Sequence, residues 1–342
     1  MKATVILLIV IVICLLVRYI GQRGNRRVPD GGINTDMYVE INGVKQWISI
    51  YGQDINNPVL LYLHGGPGVA TSGYDYAFTR KWSDVYTIVT WDQRNCGKSY
   101  SEEQDKIAIT EELLISDGME MTKFLLDYLK KDKITLLGHS WGTYLGCHLI
   151  HAAPEYYHCY IGTGQMVGVY LNEVALRIEA ARWVGEDEEG QALVGKLTVG
   201  NFTEDYYAAR NMLLKKYNYD MFAAGTDYSL LGAQFFNPYY SLRDIYQMLH
   251  SDHRVYSTFI SSDDFVKCSL MDKTEYRIPF YNINGDKDYQ TNYLLAQDYF
   301  ERITAPQKEM YIMKNMTHGL LESRSEEFSR IVHQIAKKAT PK

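Results

Sequence analysis

The sequence lacks the motifs that hold common cofactors and metals. It has no G-x-G-x-x-G run, no phosphate-binding P-loop and no metal-ligand cluster. Its five cysteines are odd in number, scattered and without a C-x-x-C pair, which argues against a disulfide framework or a zinc site and favours a reducing compartment. We therefore expect neither a cofactor nor a metal.

Positive charge is scarce in most of the chain. The formal net charge of the 342 residues is -6, but residues 1–27 carry five basic residues and no acid, which leaves 30 basic and 41 acidic residues elsewhere. A net charge of -11 over that remainder argues against nucleic-acid binding, which requires a basic surface. The length allows one large core with an inserted lobe, or two domains.

The one long apolar run is N-terminal. Residues 3–17 are apolar apart from Thr4, and Tyr19-Ile20 extend the run to about 18 residues, enough to cross a hydrocarbon core of about 30 Å. No A-x-A-like cleavage site follows, which favours an uncleaved anchor over a signal peptide. We predict a single transmembrane helix at residues 1–20, a linker at 21–35 and, from the arginines that follow the helix, a body on the cytoplasmic face of the membrane.

Strand and helix patterns alternate in the rest of the chain, with one interruption. Alternation predicts an α/β fold with a mostly parallel sheet flanked by helices. Between residues 165 and 276 the rhythm gives way to polar, tyrosine-rich helical patterns. We therefore predict a core of residues 36–164 and 277–342 with an inserted helical cap at 165–276.

A short apolar strand, residues 134–137, leads into Gly138-His139-Ser140-Trp141-Gly142. A strand that ends in G-x-S-x-G and enters a helix is typical of a nucleophile elbow, in which the serine hydroxyl stands clear of the sheet edge. Ser140 is therefore the predicted nucleophile.

A serine nucleophile needs a histidine base, and the base needs an acid that fixes its tautomer. In sheets of this type the acid and then the histidine follow the serine along the chain. His318 follows a predicted strand at 309–312, whereas His333 lies within the last helix. The loop after the strand at 278–283 offers Asp286 and Asp288, of which we favour Asp288.

The turn His64-Gly65-Gly66-Pro67-Gly68 follows another predicted strand. Its glycines allow backbone N–H groups to point at an oxyanion, so we assign the oxyanion hole to the N–H groups of Gly66 and Trp141. His64 precedes the serine, and we interpret it as a structural hydrogen-bonding residue.

Three motifs together resemble the prolyl iminopeptidase family of α/β-hydrolases: residues 64–68, residues 91–99 with Asp92-Gln93-Arg94, and the elbow. The resemblance covers about residues 36–165 and 276–340. It implies an α/β-hydrolase fold, a Ser140–Asp288–His318 triad and a capped pocket for the N-terminal residue of a peptide. Asn95 and His139 depart from the family pattern, which has glycine at both positions.

An aminopeptidase of this type must also bind a substrate ammonium group, normally through carboxylates of the cap. Candidates are Glu173, Glu179 and Glu204, with Glu186 and Asp205 beside them, and no motif selects among them.

Three hypotheses for function follow. The first is a serine hydrolase that forms an acyl-enzyme, as an aminopeptidase of prolyl iminopeptidase type releasing N-terminal proline or another residue from short peptides. The second is a carboxylesterase or lipid-ester hydrolase with the same triad, since an anchor places it near lipids. The third is an anchored, non-catalytic binding protein. The expected partners are a small peptide or ester substrate and the membrane, and the sequence leaves the oligomeric state open.

Overall fold

The computed structural model describes residues 2–250 and 254–339. Its strands form a single eight-stranded sheet in the order β1-β2-β4-β3-β5-β6-β7-β8. The strands are β1 Ile33–Ile41, β2 Val44–Gly52, β3 Val59–Leu63, β4 Thr87–Asp92, β5 Ile134–His139, β6 Tyr157–Thr163, β7 Phe280–Gly285 and β8 Lys308–Met313.

The sheet is parallel from β4 across to β8, and only the pairs β1–β2 and β2–β4 are antiparallel. Every residue of β3, β4, β5 and β7 is buried, as expected for parallel strands covered on both faces. The hairpin β1–β2 turns at Asn42 and Gly43, both with positive φ, which is the turn that Asn-Gly favours. The predicted mostly parallel sheet is confirmed.

Helices cover both faces of the sheet. Apolar residues of α3, α4 and α12 pack on one face, and those of α2, α13 and α14 on the other. The helices are α1 Lys2–Asn25, α2 Tyr76–Thr79, α3 Glu111–Tyr128, α4 Trp141–Ala152, α5 Val169–Val184, α6 Glu188–Gly195, α7 Glu204–Lys216, α8 Leu230–Phe235, α9 Leu242–His250, α10 Arg254–Ile260, α11 Asp263–Lys267, α12 Tyr293–Arg302, α13 Leu320–Ser323 and α14 Ser325–Ala339. Short 3-10 turns lie at Arg80–Trp82, Gly97–Ser99, Gln104–Lys106 and Pro154–Tyr156.

The segment between β6 and β7 carries helices α5 to α11 and, in its described part, no strand. It is therefore an insertion in the chain between two strands that are neighbours in the sheet, since β6 and β7 are hydrogen-bonded to each other. Residues of α5, α7, α10 and α11 line a cavity together with Ser140, which lies at the carboxyl edge of the sheet, where loops of parallel strands converge.

Helix α1 differs from the prediction at its C-terminal end. Residues 21–25, which we predicted as part of a linker, continue the helix, and β1 already begins at Ile33. The extra helical turns are stabilised because their polar side chains bind the cap, as with Asn25 Nδ2, which donates to the Phe236 carbonyl at 2.9 Å. Residues 5–13 of the helix are exposed and apolar, and α1 is long and apolar enough to cross a membrane.

Candidate active site

Ser140 occupies the sharp turn between β5 and α4. Its backbone has φ 55° and ψ -121°, a conformation that L-residues rarely adopt, and its N–H donates to the Thr163 carbonyl at 3.0 Å. The flanking glycines are required by close approach. A Cβ at Gly138 would lie 2.3 Å from the Gly142 carbonyl oxygen, and one at Gly142 would lie 2.0 Å from that of Leu63.

His318 and Asp288 form a buried pair, with Nδ1 of the imidazole 2.8 Å from Oδ2 of the carboxylate. Both side chains are at most 2% exposed. The carboxylate is fixed from its other side, because Oδ1 accepts the backbone N–H groups of Gln290 and Thr291, each at 3.0 Å, and Oδ2 accepts the Thr291 hydroxyl at 3.1 Å. A carboxylate held in this way accepts a hydrogen bond from Nδ1 of the imidazole and leaves Nε2 free to act as a base.

Asp286, the alternative acid, binds elsewhere. Its Oδ1 accepts the backbone N–H of Asn315 at 2.6 Å, and its Oδ2 lies 3.5 Å from Lys314 Nζ. It therefore ties together the two loops that carry Asp288 and His318.

The Asp288–His318 pair adjoins the elbow. A Cβ at Gly164, the residue after Thr163, would lie 2.9 Å from His318 Cε1 and 3.3 Å from Asp288 Oδ2. The ring of His139, the residue before the serine, lies 4.6 Å from the ring of His318 between centroids. The three predicted triad positions thus converge at one edge of the sheet.

The glycine turn lies against the serine. A Cβ at Gly65 would approach Ser140 Cβ to 3.0 Å, and Gly66 has φ 115°. Gly66 and Ser140 line the same cavity. Trp141 is the first residue of α4, where backbone N–H groups have no partner within the helix, so its N–H and that of Gly66 remain the predicted oxyanion donors.

His64 supports this turn from behind. Its Nδ1 bonds to the Gly65 carbonyl at 2.8 Å, and its Nε2 accepts the Gln93 backbone N–H at 3.2 Å. The Gln93 side chain bridges the His64 carbonyl, at 3.1 Å, and the Trp141 indole N–H, at 3.2 Å. Burial lowers the pKa of His64 to about 4, so the ring is neutral near pH 7. This matches the structural role expected for His64.

A cavity of about 330 Å³ opens above Ser140, between the core and the cap. Its described lining is Gly66, Ser140, Met166, Gly168, Val169, Asn172, Glu173, Tyr207, Arg210, Asn211, Ile260, Phe265, Gln290 and Thr291. Among these the charged side chains are Glu173 and Arg210, one of each sign. Within residues 2–250 and 254–339, no group of three or more His, Cys, Asp and Glu is arranged to hold a metal.

Glu173 is the predicted cap carboxylate that the structure brings to this cavity, and it is fully engaged. Its Oε1 accepts from Asn172 Nδ2 and Arg210 Nε, both at 3.1 Å. Its Oε2 accepts from Arg210 Nε at 3.0 Å and from the Tyr206 hydroxyl at 2.7 Å. Each oxygen already accepts two hydrogen bonds, the usual capacity of a carboxylate oxygen.

The structure does not bring Glu179 and Glu204 into the cavity lining. Glu179 is paired on the cap surface with Arg182 at 2.5 Å. Glu204 lies exposed in the first turn of α7, next to Asp205, and Glu186 is also exposed. Acidic residues in the first turn, such as Glu204 and Asp205, stabilise a helix through its dipole.

Sequence reasoning missed the cation of the cavity. Arg210 Nη1 donates to Gln290 Oε1 at 2.8 Å and Nη2 donates to the Gln290 carbonyl at 3.0 Å, so it joins α7 to the loop that carries Asp288. It is 4% exposed, and no motif surrounds it. The usable signal was its place on the apolar face of α7, with Tyr206, Leu213 and Leu214.

Comparisons with known proteins identify the family and the fold. The family model described as alpha/beta hydrolase fold matches residues 58–323. Probable aminopeptidase YbaC of Bacillus subtilis (strain 168) is 26% identical over 302 residues, 82% of this chain and 89% of that protein. Proline iminopeptidase of Lactobacillus helveticus (strain DPC 4571) is 25% identical over 181 residues, 52% and 60% respectively. The crystal structure of Mycobacterium smegmatis proline iminopeptidase, 18% identical, has the same fold, with a TM-score of 0.64 over 89% of this chain and 98% of that one.

Proposed function

The chain belongs to the alpha/beta hydrolase family, and we propose that it is a serine hydrolase that works through an acyl-enzyme. The observation that carries the proposal is the 2.8 Å contact between His318 and Asp288 beside the strained turn of Ser140. A serine hydroxyl needs such a pair to lose its proton near neutral pH.

The residues of the site have distinct roles in the proposed reaction. The hydroxyl oxygen of Ser140 attacks the substrate carbonyl while His318 Nε2 takes its proton, and Asp288 stabilises the imidazolium that forms. The N–H groups of Gly66 and Trp141 bind the oxyanion, with a contribution of about 3 kcal/mol each. His318 then protonates the leaving group, and water releases the acyl group by the same steps in reverse order.

For the substrate, we propose first an N-terminal residue of a short peptide. Support comes from the relatives that are named aminopeptidase and proline iminopeptidase and from a cavity of about 330 Å³ above Ser140, which suits a small group. The apolar part of its wall, with Met166, Val169, Ile260 and Phe265, suits a proline ring or an aliphatic side chain.

One observation favours a second candidate, a carboxylesterase or lipid-ester hydrolase. Glu173 is already neutralised by Arg210 and has no acceptor left for a substrate ammonium. A neutral acyl group with a hydrogen-bond acceptor meets no unpaired charge in this cavity.

The nucleophile is tested by labelling with a fluorophosphonate probe, which reacts with activated serines. We expect labelling of the full chain, none in Ser140→Ala, and unchanged labelling in Ser116→Ala, a substitution at an exposed serine of α3. Hydrolytic activity that persists undiminished in Ser140→Ala would overturn the mechanism, because loss of such a nucleophile reduces turnover on the order of a million-fold. A folded but unlabelled chain would indicate the non-catalytic binding protein.

The substrate class is tested with three matched sets: aminoacyl p-nitroanilides with a free amine, the same compounds N-acetylated, and p-nitrophenyl esters. Cleavage of the free-amine set alone, led by proline, supports the aminopeptidase. Cleavage of the esters alone supports the second candidate. Ser140→Ala provides the background rate for each set.

We propose further that α1 stays attached and anchors the protein in a membrane, with the body on the cytoplasmic face. Support comes from the charge excess of residues 1–27 and from the hydrogen bonds that hold residues 18–26 to the cap. A signal peptide is removed from the mature protein, so hydrogen bonds between this segment and the folded cap favour an uncleaved helix. The mass of the chain purified from membranes tests whether α1 stays attached. Resistance of the body to protease added outside intact cells tests whether it lies on the cytoplasmic face.

A further inference from the structure

Four side chains form a polar stripe on the last turns of α1 and on the residue after it. Arg18, Gln22, Asn25 and Arg26 have the spacing that places them on one face of a helix. Each donates to the backbone of the cap segment that joins α8 to α9. Arg18 Nη1 and Nη2 donate to the carbonyls of Phe235 and Tyr240 at 2.7 and 2.6 Å, and Arg26 Nε donates to that of Pro238 at 2.8 Å.

The acceptors are consecutive carbonyls of residues 235–240. Gln22 Nε2 donates to the carbonyls of Asn237 and Tyr240 at 2.7 and 2.9 Å, and Asn25 to that of Phe236. The remaining carbonyl, that of Tyr239, accepts a hydrogen bond from Lys98 Nζ at 2.8 Å. Arg18 is 4% exposed, so a charge within an otherwise apolar helix lies in protein rather than in lipid. These bonds fix α1 relative to the cap.

Close packing supports the same junction. A Cβ at Gly21 would lie 2.3 Å from Cδ1 of Phe236, so the ring of Phe236 rests directly on the helix backbone. The segment 235–240 is also tied to the core, since Asn237 Nδ2 donates to the carbonyls of Ser72 and Gly73 at 2.7 and 2.8 Å. The orientation of the body relative to α1 is therefore set.

The length of α1 places this junction at the edge of a bilayer. Residues 3–20 span about 27 Å at 1.5 Å per residue, close to the hydrocarbon thickness of about 30 Å. Arg18 lies within the last turn of that span. The carbonyls that Arg18 binds are thus at the depth where hydrocarbon gives way to headgroups.

Helix α9 begins two residues after Tyr240, and its two sides differ. Ile245 and Met248 pack inward, on the cluster of Trp47, Tyr239 and Tyr240. Leu242 and Tyr246, four residues apart on another side of the helix, are 53% and 64% exposed. Tyr246 stacks on His250, one turn further along the helix, with ring centroids 4.1 Å apart, yet both Leu242 and Tyr246 remain more than half exposed.

Exposed basic side chains occur in both segments of this junction. They are Arg23 on α1, Arg27 two residues after its end and Arg243 on α9. The nearby acids are Asp244, which lies 3.9 Å from Lys98 Nζ, and Glu102, which lines a surface cavity with Arg243 and Tyr246. Exposed leucine and tyrosine next to arginine are typical of surfaces that bind anionic membranes.

We propose that the outward side of α9, with Leu242 and Tyr246, lies in the headgroup layer of a bilayer that contains anionic lipid. The hydrogen bonds between the stripe of α1 and residues 235–240 hold it there. The inference rests on the proposed membrane anchoring by α1 and is independent of the proposed hydrolysis. It implies that the cap, which covers the cavity of Ser140, is held against the membrane surface.

The test uses an environment-sensitive fluorophore on single cysteines of the full chain in phosphatidylcholine–phosphatidylglycerol vesicles. Native Cys14, exposed on α1, reports on membrane insertion, and the other four cysteines are buried. On a Cys14→Ser background, Leu242→Cys and Tyr246→Cys report on α9. Met212→Cys, on an exposed cap position of α7 that is 52% accessible, is the matched control.

We expect blue-shifted emission at positions 14, 242 and 246, with quenching by shallow brominated lipid several-fold stronger at 242 and 246 than at 212. If emission at 242 and 246 is like that at 212 while position 14 reports lipid, the placement of α9 is overturned and the proposed anchoring by α1 is retained. If position 14 reports water, both proposals are overturned. A cooperative thermal transition like that of the native chain shows that each variant is folded. This control does not depend on the serine, so a failure of the hydrolase proposal stays separate.

Discussion

The imidazole of His139 lies against the imidazole of His318, with ring centroids 4.6 Å apart and planes inclined by 38°. Burial, together with the nearby charge of His318, holds the pKa of His139 well below its ordinary value. His139 is therefore a neutral ring beside the proposed base, at the elbow position where the prolyl iminopeptidase pattern has glycine.

We expect this ring to restrict rotation of His318 and so keep its Nδ1 on Asp288. A contact between rings contributes about 1 kcal/mol, so His139→Gly should lower kcat about fivefold with little change in KM. His139→Phe keeps a ring and should retain most of the activity. The measurement is steady-state kinetics on the best substrate of the panel, and equal kcat values for the glycine variant and the native chain would contradict the expectation.

Much of the candidate active site could be predicted from the sequence because its signals are local. The elbow requires glycines at 138 and 142, since a Cβ at either would enter the backbone of a neighbouring segment. Asp288 and His318 each follow a strand, and parallel strands bring their carboxyl ends to one edge of the sheet. Chain order and strand ends therefore suffice to bring the three residues together.

The cavity and the junction of α1 could not be predicted in the same way. The pair of Glu173 and Arg210 joins two cap helices, and nothing local distinguishes Glu173 from the exposed Glu204. Likewise, Gln22 and Asn25 belong to a Gly- and Arg-rich stretch that is typical of a linker. Their hydrogen bonds to residues 235–240 depend on contacts more than 200 residues apart in sequence.

The predicted Asp-Gln-Arg segment is held by a buried ion pair. Arg94 Nε and Nη2 donate to the two carboxylate oxygens of Asp117 at 2.6 and 2.7 Å, and both side chains are at most 4% exposed. Asp117→Leu leaves the guanidinium buried and unpaired, so we expect a loss of about 3–5 kcal/mol in the free energy of unfolding. The denaturant midpoint measures it.

The double variant Arg94→Met/Asp117→Leu is the control for this pair. It removes both charges, so it should be more stable than Asp117→Leu alone. A double variant less stable than Asp117→Leu would show that the unpaired charge of Arg94 does not explain the loss.

A buried carboxyl near the active site makes stability depend on pH. Burial raises the pKa of Glu322 to about 7, above the usual value of about 4.3 in an unfolded chain. Between these values the folded state holds a proton that the unfolded state has lost. The stabilisation from this group is therefore complete below about pH 4 and is lost as the pH rises through about 7, a change of about 4 kcal/mol.

Glu322→Gln removes this titration and should flatten the fall in thermal midpoint between pH 5 and pH 8. Glu40→Gln, at an exposed position of β1, should leave the native slope unchanged. Asp75, whose pKa burial raises to about 8, acts in the same direction and is intact in both variants, so only the difference in slope is diagnostic. Parallel profiles for the native chain and Glu322→Gln would contradict the assignment.

The pairing of Glu173 with Arg210 predicts a change of specificity. Arg210→Met removes the cation that engages both carboxylate oxygens and leaves Glu173 with a free charge facing the cavity of Ser140. A substrate ammonium can then occupy the place of the guanidinium. We expect kcat/KM for free-amine p-nitroanilides relative to their N-acetylated forms to rise about tenfold, the equivalent of about 1.4 kcal/mol.

The ratio is the appropriate measurement, because loss of a buried partner lowers the fraction of folded enzyme and that fraction cancels between two substrates of one preparation. Arg182→Met removes the surface partner of Glu179, outside the cavity lining, and should leave the ratio as it is in the native chain. An unchanged or lower ratio in Arg210→Met would contradict the prediction. An unchanged ratio, with kcat/KM per folded enzyme lowered alike for both substrates, would mean that Arg210 itself binds an acceptor group common to both substrates, and that Glu173 serves to hold Arg210 in position.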